Sequence, residues 1–167
     1  MSLVKKFSYL LIIFLFAGCS FKGVNIKKQP NTAVSKSQLI TLKTKRFAFS
    51  DSGFYKSDDK KVLIQAYSSG VGIGEIQVYK TQNLVCVKRY CNTKEWFNEN
   101  FLSKYYPKDL ILNVLEKKPI FDGKNLTKTK DGFVQKIGSI KYKVTKSEVF
   151  FKDLKNRIII RLRDLKK

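Results

Sequence analysis

Residues 62–78 read VLIQAYSSGVGIGEIQV, two β-branched runs around a glycine-rich centre. Lys61–Tyr67 has the composition of a strand, bounded by Asp58-Asp59-Lys60 before it and Ser68-Ser69-Gly70 after. Gly72–Tyr79 is a second strand, with Ile76 and Val78 on one face at the period of two that a half-buried strand shows. The three glycines of SSGVGIG do not make a dinucleotide loop, because no helical pattern follows them; the spacing predicts a hairpin.

Downstream, Leu84–Tyr90 reads as a further strand, and two helices follow. Asn92 or Thr93 can cap the first, Glu95 stands in its first turn, and Trp96, Phe97, Phe101 and Leu102 fall on one face. Pro107 opens the second, whose apolar stripe is Leu110, Ile111, Val114 and Leu115, and Pro119 ends it. Strands resume after the turn Lys130-Asp131-Gly132, with Phe133–Ile137, then alternating Ile140, Tyr142 and Val144, then Glu148–Phe151. After a turn through Lys155-Asn156, Arg157–Arg163 points Ile158, Ile160 and Leu162 inward. Upstream, Lys45–Phe49 alternates as a strand and structure is expected from about Leu39. Strands, a central helical pair and strands again make an α+β fold: one curved antiparallel sheet with two helices on one face. No internal repeat is present.

The N-terminus carries Lys5 and Lys6, then the apolar run FSYLLIIFLFAG and Cys19. The run is too short for a ~30 Å hydrocarbon core, so it reads as an export signal. Its end, Phe16-Ala17-Gly18-Cys19, resembles the lipobox of bacterial lipoproteins, in which the signal is cut before a cysteine that is then acylated. That resemblance implies a signal peptide over 1–18, a lipidated flexible tether over 19–40 and a folded domain over 41–167. It also implies that Ser20, standing where aspartate retains such proteins at the inner membrane, sends the chain to the periplasmic face of the outer membrane.

The formal net charge is +21, and removal of a signal with two lysines and no acid leaves +19. Such a charge favours polyanions, among them anionic headgroups and lipopolysaccharide phosphates. The lysines are spread along the chain, whereas a nucleic-acid binder concentrates its charge on one element, so no nucleic-acid partner is expected. The chain has no histidine, which removes Ser-His and Cys-His nucleophiles and the common zinc sites; no enzyme, cofactor or metal is expected. Asp58 with Asp59, and Glu95 with Glu99, are ordinary solvated pairs, and Arg157, Arg161 and Arg163 read as the exposed face of the last strand. Cys86 and Cys91 either bridge, as an oxidising periplasm permits, or stand too far apart if a strand separates them.

From Lys61 to Ile120 the order of features resembles that of the LolB lipoproteins, which insert lipoproteins into the outer membrane. It runs as the hairpin VLIQAYSSGVGIGEIQV, the strand LVCVKRYC, the helix TKEWFNENFLS and the proline-introduced helix YYPKDLILNVLEKKP. The closing strands GFVQKIGSIKYKV and KNRIIIRL are also similar. The resemblance implies an incomplete LolA/LolB-like β-barrel around a hydrophobic cavity, acylated lipoproteins as cargo, a LolA-like periplasmic carrier as donor, and a monomer. Val71 falls at the place of that family's membrane-inserting loop leucine, with Ile73 beside it. Acyl chains would lie against Ile76, Val78, Ile140, Tyr142, Ile158, Ile160 and Leu162 from the sheet and Trp96, Phe97, Phe101, Leu110 and Val114 from the helices. The same residues would equally serve as a filled core. A second reading of the chain is a basic accessory lipoprotein docking on an envelope complex, peptidoglycan or lipopolysaccharide.

Overall fold

The computed structural model describes residues 34–165. The expected signal peptide, Cys19 and the tether up to residue 33 lie outside the described residues. The first strand, β1 (Val34–Lys43), starts inside the span expected to be tether, which corrects the boundary at residue 40. Its serines and lysines look like linker, but Gln38, Ile40 and Leu42 alternate onto one buried face.

Ten more strands follow: β2 (Ala48–Ser57), β3 (Lys61–Ser68), β4 (Val71–Tyr79), β5 (Val85–Val87), β6 (Tyr90–Asn92), β7 (Leu126–Thr129), β8 (Gly132–Ile137), β9 (Ile140–Val144), β10 (Glu148–Asp153) and β11 (Ile158–Asp164). They form one antiparallel sheet in the order β6-β5-β4-β3-β2-β1-β11-β10-β9-β8-β7. The chain walks outward from β1 to the β6 edge, crosses through the helices to the β7 edge, and returns to pair β11 with β1. The two edges do not pair, so the sheet is curved but not closed.

The crossing holds helices α1 (Lys94–Phe101) and α2 (Leu110–Leu115). Thr93 caps α1, its hydroxyl accepting from the Trp96 N–H at 3.2 Å, and Glu95 meets the positive end of the helix. In α2 every residue but Asn113 is buried, because this short helix packs against both β4 and β10 and so sits between the two halves of the sheet. Polar contacts fix its flanks. Lys94 Nζ donates to Asp109 at 2.8 Å, Lys80 pairs with Glu116 at 2.9 Å, and the Tyr142 hydroxyl donates to the Lys118 carbonyl at 3.0 Å. The buried Gln135 amide serves Ile120 twice and Lys124 once, closing the loop that leads to β7. Gly53 lets β2 approach β3: a Cβ there would stand 2.2 Å from the Gln65 carbonyl oxygen and 2.6 Å from Ile40.

The strand expected over Leu84–Tyr90 is instead two short strands, turned back at Lys88 and Arg89. No glycine or asparagine marks that turn; Lys88 itself takes the left-handed conformation, at φ 56°. The fold-back makes Cys86 and Cys91 direct cross-strand partners with Cα atoms 3.9 Å apart, and they are disulfide-bonded. A single extended strand would have kept them apart. Closing so short a loop stabilises by about 2 kcal/mol on the chain-entropy account. Reduction is therefore expected to lower the unfolding free energy by about that amount, read as a shift in urea midpoint with and without dithiothreitol.

Candidate functional site

The β3–β4 hairpin carries the most exposed large aliphatic side chain of this region, Val71, at 66% exposure, with Ile73 at 37%. Its turn is Ser69-Gly70, both at positive φ, and a register shift between Ala66 and Tyr67 re-aims the tip. Gly74 has a packing reason: the Phe49 ring lies 3.1 Å from where a Cβ would be. Beside this hairpin lies a cleft of about 200 Å³, lined chiefly by Phe47, Phe49, Ile73, Ile76 and Val87, with Glu75 and Lys88 as its charged members.

An aromatic cluster continues from the cleft onto α1. Phe47 lies 5.2 Å from Phe101, which stacks on Phe97 at 5.1 Å and meets the Trp96 ring edge-on at 5.8 Å. Arg46 covers the group, its guanidinium 5.8 Å from the Phe101 ring and donating to Asn100 Oδ1 at 3.0 Å. The side of this cluster formed by the β1–β2 turn was not visible in the sequence. It depends on a turn meeting a helix more than fifty residues away.

The residues expected to line an acyl cavity fall mainly elsewhere. Ile76, Val78, Phe97, Leu110, Val114, Ile140, Tyr142, Ile158, Ile160 and Leu162 belong to one packed core, with Phe101 half-buried against it and Trp96 outside it. Mutual contact occupies these side chains, and open space remains at the two mouths of the curved sheet. The second mouth is a cleft of about 450 Å³ with a floor of Leu115, Val149 and Leu162 and a rim that includes Lys36, Lys117, Lys118 and Lys146. Burial holds the Lys117 ammonium below the usual lysine range, and it donates to the Thr145 and Lys146 carbonyls.

Several carboxylates hold local structure. Asp58 accepts the Lys60 and Lys61 N–H groups in its turn, both at 2.8 Å, and these bonds hold its pKa below the ordinary value. Glu75 accepts from Gln65 and Gln77, and Glu95 from Asn83. Of the expected arginine strip, Arg161 binds Glu148 and lies over the Phe150 ring. Among the described residues no group of three His, Cys, Asp or Glu side chains could hold a metal ion, and no helix is long and apolar enough to cross a membrane.

Comparison with known proteins is silent. No family model, no curated protein and no solved structure matches this chain.

Proposed function

We propose that this chain is a lipid-anchored envelope protein with a LolB-like half-barrel, which receives acylated lipoproteins from a periplasmic carrier and inserts them into the outer membrane. Cys19 carries the anchor in this reading, and Ser20 permits export to the outer membrane. The observation that carries it is the β3–β4 hairpin: Val71 is raised into solvent between glycines at its tip, and Ile73, two residues on, lines an apolar cleft. An exposed Val71 is costly in water and favourable in an acyl phase, because apolar area leaving water is the driving force. The aromatic cluster from Phe47 to Trp96 adjoins the cleft lined by Phe47 and Ile73 and adds apolar surface beside it. Transfer in this reading needs no directional bonding to cargo.

Depletion of the protein, followed by fractionation of the other lipoproteins between inner and outer membranes, tests the proposal. Lipoproteins are expected to accumulate away from the outer membrane. An unchanged distribution would sink the transfer role and leave only a docking scaffold.

A further inference from the structure

We infer that the end of the sheet bearing Val71 docks on an anionic bilayer surface through three lysine–arginine turns. The antiparallel order sends the β1–β2, β3–β4, β5–β6, β8–β9 and β10–β11 turns to one end. The pairing of Lys43 with Ile159 places the β10–β11 turn beside the β1–β2 turn. Three of these turns each present one lysine and one arginine, all exposed: Lys45 with Arg46, Lys88 with Arg89, and Lys155 with Arg157. Two acids stand near these turns, and both are engaged: Asp153 is buried and bonded to Tyr106, Ser139 and Asn156, and Glu75, whose carbonyl accepts the Lys88 N–H at 3.0 Å, has its carboxylate bonded to Gln65 and Gln77. The turns at the opposite end mix signs, with Asp58, Asp59 and Asp131 among Lys60, Lys80, Lys130 and Lys146. The opposite end also carries lysines, four of them on the rim of the wider cleft, but there they stand among the carboxylates of Asp58, Asp59, Glu116 and Asp131, with Glu116 paired to Lys80 and Lys118.

A further observation favours a bilayer over a soluble polyanion. Exposed apolar side chains stand among the cations at the same end, Val71 at 66% and Leu154 at 66%. Headgroups meet the charges while the acyl layer takes the aliphatic tips. Lys88 and Arg157 occupy left-handed positions, φ 56° and 57°, where glycine or asparagine would sit without strain.

The inference deepens the proposed function and rests on it for the anchor at Cys19. β1 starts at the opposite end and runs about 33 Å before reaching the basic turns. The fifteen residues from 19 to 33 can span up to about 50 Å. The tether is thus long enough for the basic end to turn onto the same leaflet that holds the anchor.

The test uses the chain from residue 19 onward with Cys19→Ser, which retains the whole sheet and both helices. Flotation with phosphatidylglycerol-containing vesicles is compared with flotation on pure phosphatidylcholine. Binding is expected only to the anionic vesicles and is expected to fall as salt screens the charges. Each cation lost should weaken it about fivefold, so Lys88→Gly with Arg157→Gly should cost about thirtyfold. Both changes relieve the backbone, so thermal stability should hold or rise and unfolding cannot account for the loss. Lys60→Gln with Lys130→Gln, at the other end, should leave binding within about twofold, because those charges face away from the bilayer. Equal binding to both vesicle types, or equal loss from the two double variants, overturns the inference. Lost vesicle preference with normal lipoprotein delivery would refute this surface but not the proposed function. Intact docking with an unchanged lipoprotein distribution on depletion would refute the function and support the surface.

Discussion

Asp153→Ala is expected to lower the unfolding free energy by about 3 kcal/mol, with thermal unfolding as the measurement. The carboxylate ends β10 at 2% exposure and accepts from the Tyr106 hydroxyl, from Ser139 Oγ at 2.6 Å, from the Lys155 and Asn156 N–H groups, and from Asn156 Nδ2 at 2.7 Å. Tyr106 comes from the segment between the helices, so this one acid joins the helical crossing to the sheet and to the β10–β11 turn. Its removal orphans a buried phenol, and a buried donor left without its partner costs about 1–3 kcal/mol by itself. Burial pushes the Asp153 carboxyl up, but the hydrogen bonds from Ser139, Tyr106 and Asn156 outweigh it and hold the pKa at about 2. The folded pKa is thus below the unfolded one, near 3.9. The group binds fewer protons folded than unfolded, so its contribution of about 2–3 kcal/mol is complete above about pH 5 and fades as pH falls through 4 towards 2. Asp153→Asn should remove that acid limb while keeping most of the packing. A stability curve for Asp153→Asn that bends in acid as steeply as the unmodified chain would show that another carboxylate carries the effect.

Elements whose apolar side chains alternate or recur at helical spacing were legible from sequence. The β3–β4 hairpin, β9, β11 and both helices follow from Ile76 and Val78, from Ile140, Tyr142 and Val144, and from the Leu110–Leu115 stripe. The elements missed are those in which period and burial part company. In β2 the inward row runs through Asp51 and Gly53, and Phe54 faces outward at 42% exposure, so the row looks polar. β7 is an edge strand with no buried residue. The β5–β6 hairpin hides because its turn places Lys88 at a left-handed position that glycine or asparagine would have marked. The hairpin tip at Val71 could be read from its glycines, whereas the cleft beside it needs Phe47 and Phe49 brought across from another hairpin. A list of inward aliphatic residues does not separate a filled core from a cavity. Here ten of the twelve candidates pack against one another, because α2 comes down between the halves of the sheet.

Val71→Glu is expected to reduce delivery of acylated cargo to membranes about a hundredfold while leaving the fold intact. The two halves of that statement have separate grounds. Val71 is 66% exposed and follows a solvent-facing turn, so a polar replacement there should change stability by no more than about 0.5 kcal/mol. Burying a valine in an acyl layer is worth about 1.5–3 kcal/mol, and a carboxylate in its place must also be desolvated or protonated. A combined penalty near 3 kcal/mol corresponds to about two powers of ten in the rate of a step that requires insertion. Ile76→Glu, five residues on and 3% exposed, is the contrast, since it should unfold the domain outright by burying a charge. Val71→Leu enlarges the apolar tip and should preserve or raise delivery. The measurement is transfer of a fluorescently acylated lipoprotein into vesicles, with thermal unfolding run on the same preparations. Unimpaired transfer by a folded Val71→Glu chain would remove the hairpin from the mechanism and shift attention to the wider cleft at the opposite mouth. Loss of transfer restored by Val71→Leu, at constant stability, would tie delivery to the aliphatic character of this one side chain.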